Sequence, residues 1–177
     1  MAGKKDGDTV GYSERFERFF PNLAHNIEGF HDADLGRGGD TVWGIARKFH
    51  PEEPWPPSYD RCKEIYFDEY YTPMQCEAIV NERFSFVFFV AAVNIGTGDA
   101  KQHIWTLLNM PLNGQIIGKV TLANLNAALE KDWDKQLCDF MIGMNHHYFN
   151  LHRSDPVKYP LDILEGWMNR QARALNL

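Results

Sequence analysis

Glu28 is the residue of this chain whose position most readily suggests chemistry. An apolar pattern at helical spacing, Phe16, Phe19, Phe20, Leu23 and Ile27, runs up to it and stops at Gly29, so the carboxylate falls in the last turn of an expected helix. There it faces the negative end of the helix dipole, and Ile27 and Phe30 beside it in sequence should take it partly out of water. Both effects favour the protonated acid. A carboxyl group that keeps its proton near neutral pH can act as a general acid toward a sugar, whose leaving oxygen is too basic to depart unprotonated. A lone glutamate at a helix end is more often simply solvated, so the surroundings decide. A turn-rich loop follows, with Asp32, Asp34, Gly36, Gly38, Gly39 and Asp40, then Thr41, and the pattern becomes apolar again at Val42.

Read in order, Glu28-Gly29-Phe30, then Asp34, then Gly38-Gly39-Asp40-Thr41 and Trp43-Gly44-Ile45 resemble the signature of glycoside hydrolase family 108. That family comprises lysozyme-like N-acetylmuramidases, some labelled secretion activator proteins. The resemblance extends over roughly residues 15 to 175. It takes in Val93-Asn94-Ile95-Gly96, a loop with Asn113-Gly114, Gly118 and Thr121, and Gly166-Trp167-Met168-Asn169-Arg170 near the end. The last two resemble elements of the family's peptidoglycan-binding half. The chain departs from the pattern at three places. Phe30 follows Gly29 directly where a second glycine is common, Val90 stands where an aspartate is expected, and Asn113 replaces the usual aspartate.

The resemblance implies hydrolysis of the β-1,4 bond between N-acetylmuramic acid and N-acetylglucosamine, with Glu28 protonating the leaving oxygen. Asp34 is the first choice for the second carboxylate, with Asp32 and Asp40 as competitors. Thr41 either holds the attacking water through its hydroxyl or is a β-branched residue starting a strand. Trp43 and Trp55 are candidates for stacking on a sugar face, or else aromatic anchors for their loops. Asn94 and Asn113 are the polar candidates for substrate binding, although Asn94 reads more simply as a helix cap. A short loop from Glu to Thr suggests inversion by analogy with other lysozymes, which requires carboxyl groups about 6.5 to 9.5 Å apart. Two other readings stand beside this one: a wall-binding, secretion-associated protein that cleaves slowly or not at all, and a chitinase-like enzyme on a related fold.

At 177 residues the chain is long enough for one domain or two fused lobes, and 44% hydrophobic with 14% aromatic residues excludes disorder for most of it. A net charge of -6 argues against nucleic acid as partner. The same charge suits an anionic wall polymer only if the groove is locally basic or long-range attraction is not used. Cys62, Cys76 and Cys138 match no zinc spacing and are expected as free, buried thiols. His146, His147 and His152 lack a metal-binding pattern, so neither metal nor other cofactor is expected. The start carries basic residues without an apolar run, so synthesis in the cytoplasm without a signal peptide is expected. Access to the wall would then need a holin, a secretion system or lysis.

The expected fold is all-helical and lysozyme-like, with about seven helices and a small irregular or β-hairpin lip near residues 29–44. Residues 1–12 read as a flexible tail, 13–96 as the catalytic half and 97–177 as a peptidoglycan-binding-like half, packed as one unit. Ser13 should cap the first helix, and Pro21 should kink or divide it. Further helices are expected over Ser58–Tyr71, Cys76–Ile95, Ala100–Met110, about Asp132–His152, and a last one carrying Trp167. The run Phe84–Val93 is apolar nearly all round yet too short for a membrane span, and reads as a buried central helix. The proline-rich stretch 50–58 reads as a stiff connector.

Overall fold

The computed structural model describes residues 11–30, 39–111 and 117–176, and its architecture is mainly helical and lysozyme-like. Helix α1, Glu14–Pro21, begins as expected: the Ser13 hydroxyl accepts from the Phe16 amide at 3.2 Å, and Glu14 and Glu17 occupy the positive first turn. Pro21 brings no N–H to the ladder, and the turns after it widen into a π-helix over Asn22–Glu28. Its last bond, from the Gly29 amide to the Ala24 carbonyl, is 2.8 Å long. The wider winding turns Leu23, Ala24, Ile27 and Glu28 all toward the interior.

A two-strand antiparallel hairpin forms the observed part of the lip. Strand β1, Thr41–Val42, pairs with β2, Ile45–Ala46, with Thr41 opposite Ala46 and Val42 opposite Ile45. Trp43 and Gly44 link the strands with φ of 50° and 79°, the paired positive values of a type I′ turn. Beyond the connector, the Ser58 hydroxyl caps α2, Tyr59–Tyr66, which also continues as a π-helix, over Phe67–Tyr71.

Helix α3, Glu82–Ile95, starts later than the sequence pattern suggests. Cys76–Ala78 is a separate 3₁₀ turn behind the left-handed Gln75, and the Asn81 side chain takes the Phe84 amide at 2.8 Å to open α3. All residues from Phe84 to Ala92 are buried. This helix is the centre of the molecule. On one side Phe84 and Phe88 meet Phe140, and on the other the Phe89 ring lies among those of Phe16, Phe19, Tyr66 and Tyr71.

Gly96, at φ 86°, ends α3 and leads directly into α4, Thr97–Leu107, three residues ahead of the expected start at Ala100. Helix α5, Lys119–Ser154, is longer than expected because Asp132 breaks it without ending it. At φ -163° and ψ 79° Asp132 leaves the helical region, and its carboxylate accepts from the Lys135 amide at 3.1 Å, capping the second segment. Helix α6, Leu161–Leu175, returns across α3 and the π-helical segment before Gly29. No helix among the described residues is long and apolar enough to cross a membrane. Cys62 and Cys76 are free and buried, as expected, whereas Cys138 is free but exposed on α5.

The rings of His103 on α4 and His147 on α5 meet edge to face at 5.3 Å. Burial, helped by His147, pushes His103 down to about 4. Between that value and the ordinary histidine range of about 6.5, the unfolded chain binds a proton that the folded chain refuses. The contribution of His103 to stability is therefore complete above pH 6.5 and is lost as pH falls toward 4, with a slope of at most about 1.4 kcal/mol per pH unit. Urea denaturation across that range should show the decline, and it should be shallower in His103→Asn. In the core, Phe89→Ala removes a fully buried ring and should destabilise the fold by about 3 to 5 kcal/mol in the same measurement at neutral pH.

Candidate functional site

The π-helical turn delivers Glu28 to a buried position, its side chain 5% exposed, where three other parts of the chain converge on it. The hairpin turn lies against it. A methyl group built on Gly44 would come within 2.6 Å of Glu28 Cγ and 2.3 Å of the Tyr66 hydroxyl. Tyr66, from α2, donates a 3.0 Å hydrogen bond to the Trp43 carbonyl and so fixes the hairpin over the carboxyl group. Burial, and then the charge of Glu28, pushes the Tyr66 phenol well above its usual range; burial, Glu69 and Glu28 act likewise on Tyr70.

Helix α6 supplies the third neighbour. Arg170 places Nη2 3.6 Å from Glu28 Oε2 and directs Nη1 toward Asn94 Oδ1, at 3.5 Å, in the last turn of α3. Behind Asn94 stands the phenol of Tyr148 on α5, raised by burial and packed on Trp167 with ring centres 5.2 Å apart. Among the described residues, Glu28 is thus held away from bulk water with the Arg170 guanidinium beside it.

Of the residues singled out from sequence, Glu28, Trp43 and Asn94 are brought into this neighbourhood. Trp43 sits at the turn in a left-handed conformation unusual for a bulky residue, with its ring among His25, Phe30 and Tyr59 at centre distances of 4.9, 5.1 and 5.5 Å. Phe30, 54% exposed, continues that aromatic surface outward. Thr41 lies in β1 and donates its hydroxyl to the Gly39 carbonyl at 3.0 Å, leaving the oxygen's lone pairs as the means of holding water. Asp40 is exposed and ion-paired with Arg47 at 3.4 Å. The Arg47 guanidinium also lies 5.7 Å from the ring centre of Trp55, which links that tryptophan to the outer edge of the hairpin. Asp32, Asp34 and Asn113 lie outside the described residues.

Sequence reasoning missed Arg170, Tyr66 and Tyr148. Arg170 was visible as the end of Gly-Trp-x-x-Arg, but nothing local says that this helix returns to Glu28. Tyr66 lay on an expected helix with no signal distinguishing it from a core aromatic.

The close approach at Gly44 is directly testable. Gly44→Ala meets both a left-handed backbone and two neighbours nearer than van der Waals contact, so it should lose at least about 1 to 2 kcal/mol of stability in urea denaturation. A change within about 0.5 kcal/mol, the usual range of a neutral surface substitution, would contradict the packing described.

Comparison with known proteins finds a family match over part of the chain. Residues 25–96, from the π-helical turn before Glu28 to the end of α3, match the family model described as Glycosyl hydrolase 108. No curated protein shows a significant match to the chain. Among solved structures, that of Brucella abortus SagA is similar with a TM-score of 0.67 at 16% sequence identity, covering 91% of this chain and 94% of that one. At that identity the likeness is one of fold. Arg170 lies beyond the matched residues, on α6. The resemblance read from the sequence thus stands: residues 25–96 are similar to the glycosyl hydrolase 108 family, on a mainly helical, lysozyme-like fold.

Proposed function

We propose that this protein is a peptidoglycan hydrolase of the N-acetylmuramidase type. It cleaves the β-1,4 bond between N-acetylmuramic acid and N-acetylglucosamine. The observation that carries the reading is the placement of Glu28: a carboxyl group within the glycosyl hydrolase 108 segment, withdrawn from water at a helix end and held under a hairpin turn. In the proposed reaction Glu28 gives its proton to the glycosidic oxygen as the bond to the muramic acid carbon breaks, and the electron pair of that bond stays with the leaving oxygen. A second carboxylate assists a water or stabilises the positive charge that develops on the sugar. Asp34 remains the first choice for this role. Asp40 is the weaker competitor, because its ion pair with Arg47 already engages it. Thr41 can accept a hydrogen bond from the attacking water, and Trp43 with Phe30 offers an apolar aromatic surface to a sugar ring. The enzyme would reach the wall by export or on lysis.

One observation favours the second reading, a wall-binding protein with weak or no hydrolysis. The Arg170 guanidinium stabilises the ionised form of Glu28, and an ionised carboxylate has no proton to give. Burial of Val90 in the core, where a carboxylate would fit poorly, agrees with a site reduced in acidic groups.

Turbidity loss on purified peptidoglycan separates the readings. Lysis by the wild type should fall by a factor of about 10² to 10⁴ in Glu28→Gln, the range for loss of a general acid, with N-acetylmuramic acid at the new reducing ends in the wild-type digest. Binding without lysis in both proteins would establish the accessory role instead. Preferential release of chitooligosaccharides would move the assignment to a chitinase-like enzyme.

A further inference from the structure

We propose that Arg170 is a positioning residue that orients the Glu28 carboxyl group and sets its affinity for a proton, so that the centre is complete only when α6 has docked. The consequence for catalysis rests on the muramidase reading; the effect on Glu28 does not. The guanidinium is a planar fork, and here its two terminal nitrogens reach different elements: Glu28 at the end of the π-helix and Asn94 in the last turn of α3. Helix α6 is fixed for this by the burial of Leu164, Gln171 and Ala174 and by the packing of Trp167 on Tyr148, which leaves Arg170 at the edge of its packed face. The two members of the pair differ sharply in exposure, 5% for the carboxyl side chain and 37% for the guanidinium. Arg170 therefore brings to a water-poor carboxyl group a counter-charge that remains in touch with solvent.

The other described groups around Glu28 leave this role open. Tyr66 and Tyr70, from α2 and its π-helical continuation, have phenols pushed upward by burial and stay neutral at working pH. The hairpin presents a carbonyl and a glycine, neither of which titrates. His25, one turn earlier on the same segment, turns its ring to Trp43 and Tyr59. Asn94 is uncharged, and the Tyr148 phenol behind it is raised by burial. At 3.6 Å the contact is longer than a charge-assisted hydrogen bond, so Arg170 acts on the carboxyl group as a neighbouring charge. In the acid step the proton leaves Glu28 for the glycosidic oxygen, and Arg170, keeping all of its own protons, stabilises the carboxylate that remains. It makes Glu28 a stronger acid at the expense of the pH range over which the acid is loaded.

The test is a carbon-13 NMR titration of the Glu28 carboxyl group in the full chain, its signal assigned by its absence in Glu28→Gln. Wild type is compared with Arg170→Gln and Arg170→Lys, and wall lysis is followed over the same pH range. The Glu28 midpoint should rise by about 1 to 3 pH units in Arg170→Gln, as expected on losing a neighbouring cation, and should return most of the way in Arg170→Lys. The alkaline limb of lysis should move in the same direction. An unmoved midpoint in an Arg170→Gln protein that melts like the wild type would overturn the proposal. If Arg170→Gln does not fold, the wild type is titrated at low salt and at about 1 M salt: screening of the half-open guanidinium should raise the midpoint, and no movement counts against the pair. A shifted midpoint without lysis in any protein leaves Arg170 in its role and removes the muramidase reading. Lysis with an unshifted midpoint does the reverse.

Discussion

Where the hairpin crosses the end of the π-helix, the backbone of Gly44 lies against the Glu28 side chain so closely that the smallest side chain would overlap both it and the Tyr66 hydroxyl. That approach excludes water from the carboxyl group, and much of the surrounding structure serves to maintain it. After Pro21 the winding changes from α to π, and Glu28 falls on the inner side of that segment. The type I′ turn accepts positive φ at Trp43 as well as at Gly44, although a bulky residue rarely adopts it, and holds the indole among His25, Phe30 and Tyr59. Such a conformation survives only where its surroundings over-determine it. Here the bond from Tyr66 to the Trp43 carbonyl and burial of Val42 and Ile45 on either side do so.

The core explains why these pieces hold their relative positions. Helix α3 is buried along most of its length and touches α4, α5 and α6 as well as the segment following α2. Its N-terminal aromatic residues anchor α5 through Phe140, while Phe89 gathers the rings of α1 and of α2 with its continuation. Its C-terminal turn carries Asn94, so the helix that organises the interior also reaches the candidate site. The family match ends with this helix, and the guanidinium that meets Glu28 arrives from α6, beyond it.

What could be read from the sequence was local. Ser13 and Ser58 announce their helices, Gly29 and Gly96 end theirs, and the apolar run in α3 is recognisable as buried because no face of it is polar. Glu28 could be singled out because its argument needs only the helix that ends beside it. Arg170 could not, since α6 reads as an ordinary amphipathic helix and its partner is supplied by tertiary packing alone. Boundaries went astray where a polar side chain competes with the backbone. Asn81 opens α3 later than the apolar pattern does, and Asp132 recaps α5 inside what sequence shows as a fresh start. Cys138 was expected inside because cysteine generally is, but it falls on the outer side of a helix whose inner side is set by Leu137, Phe140 and Met144.

The pair formed by Glu28 and Arg170 also bears on how such a protein can change over time. The family match covers residues 25–96, yet one of the charges bordering Glu28 is encoded near the far end of the chain. That segment on its own holds Glu28 but not Arg170. A change in α6 that moves Arg170 is therefore felt at Glu28, far away in sequence, across a gap of 3.6 Å.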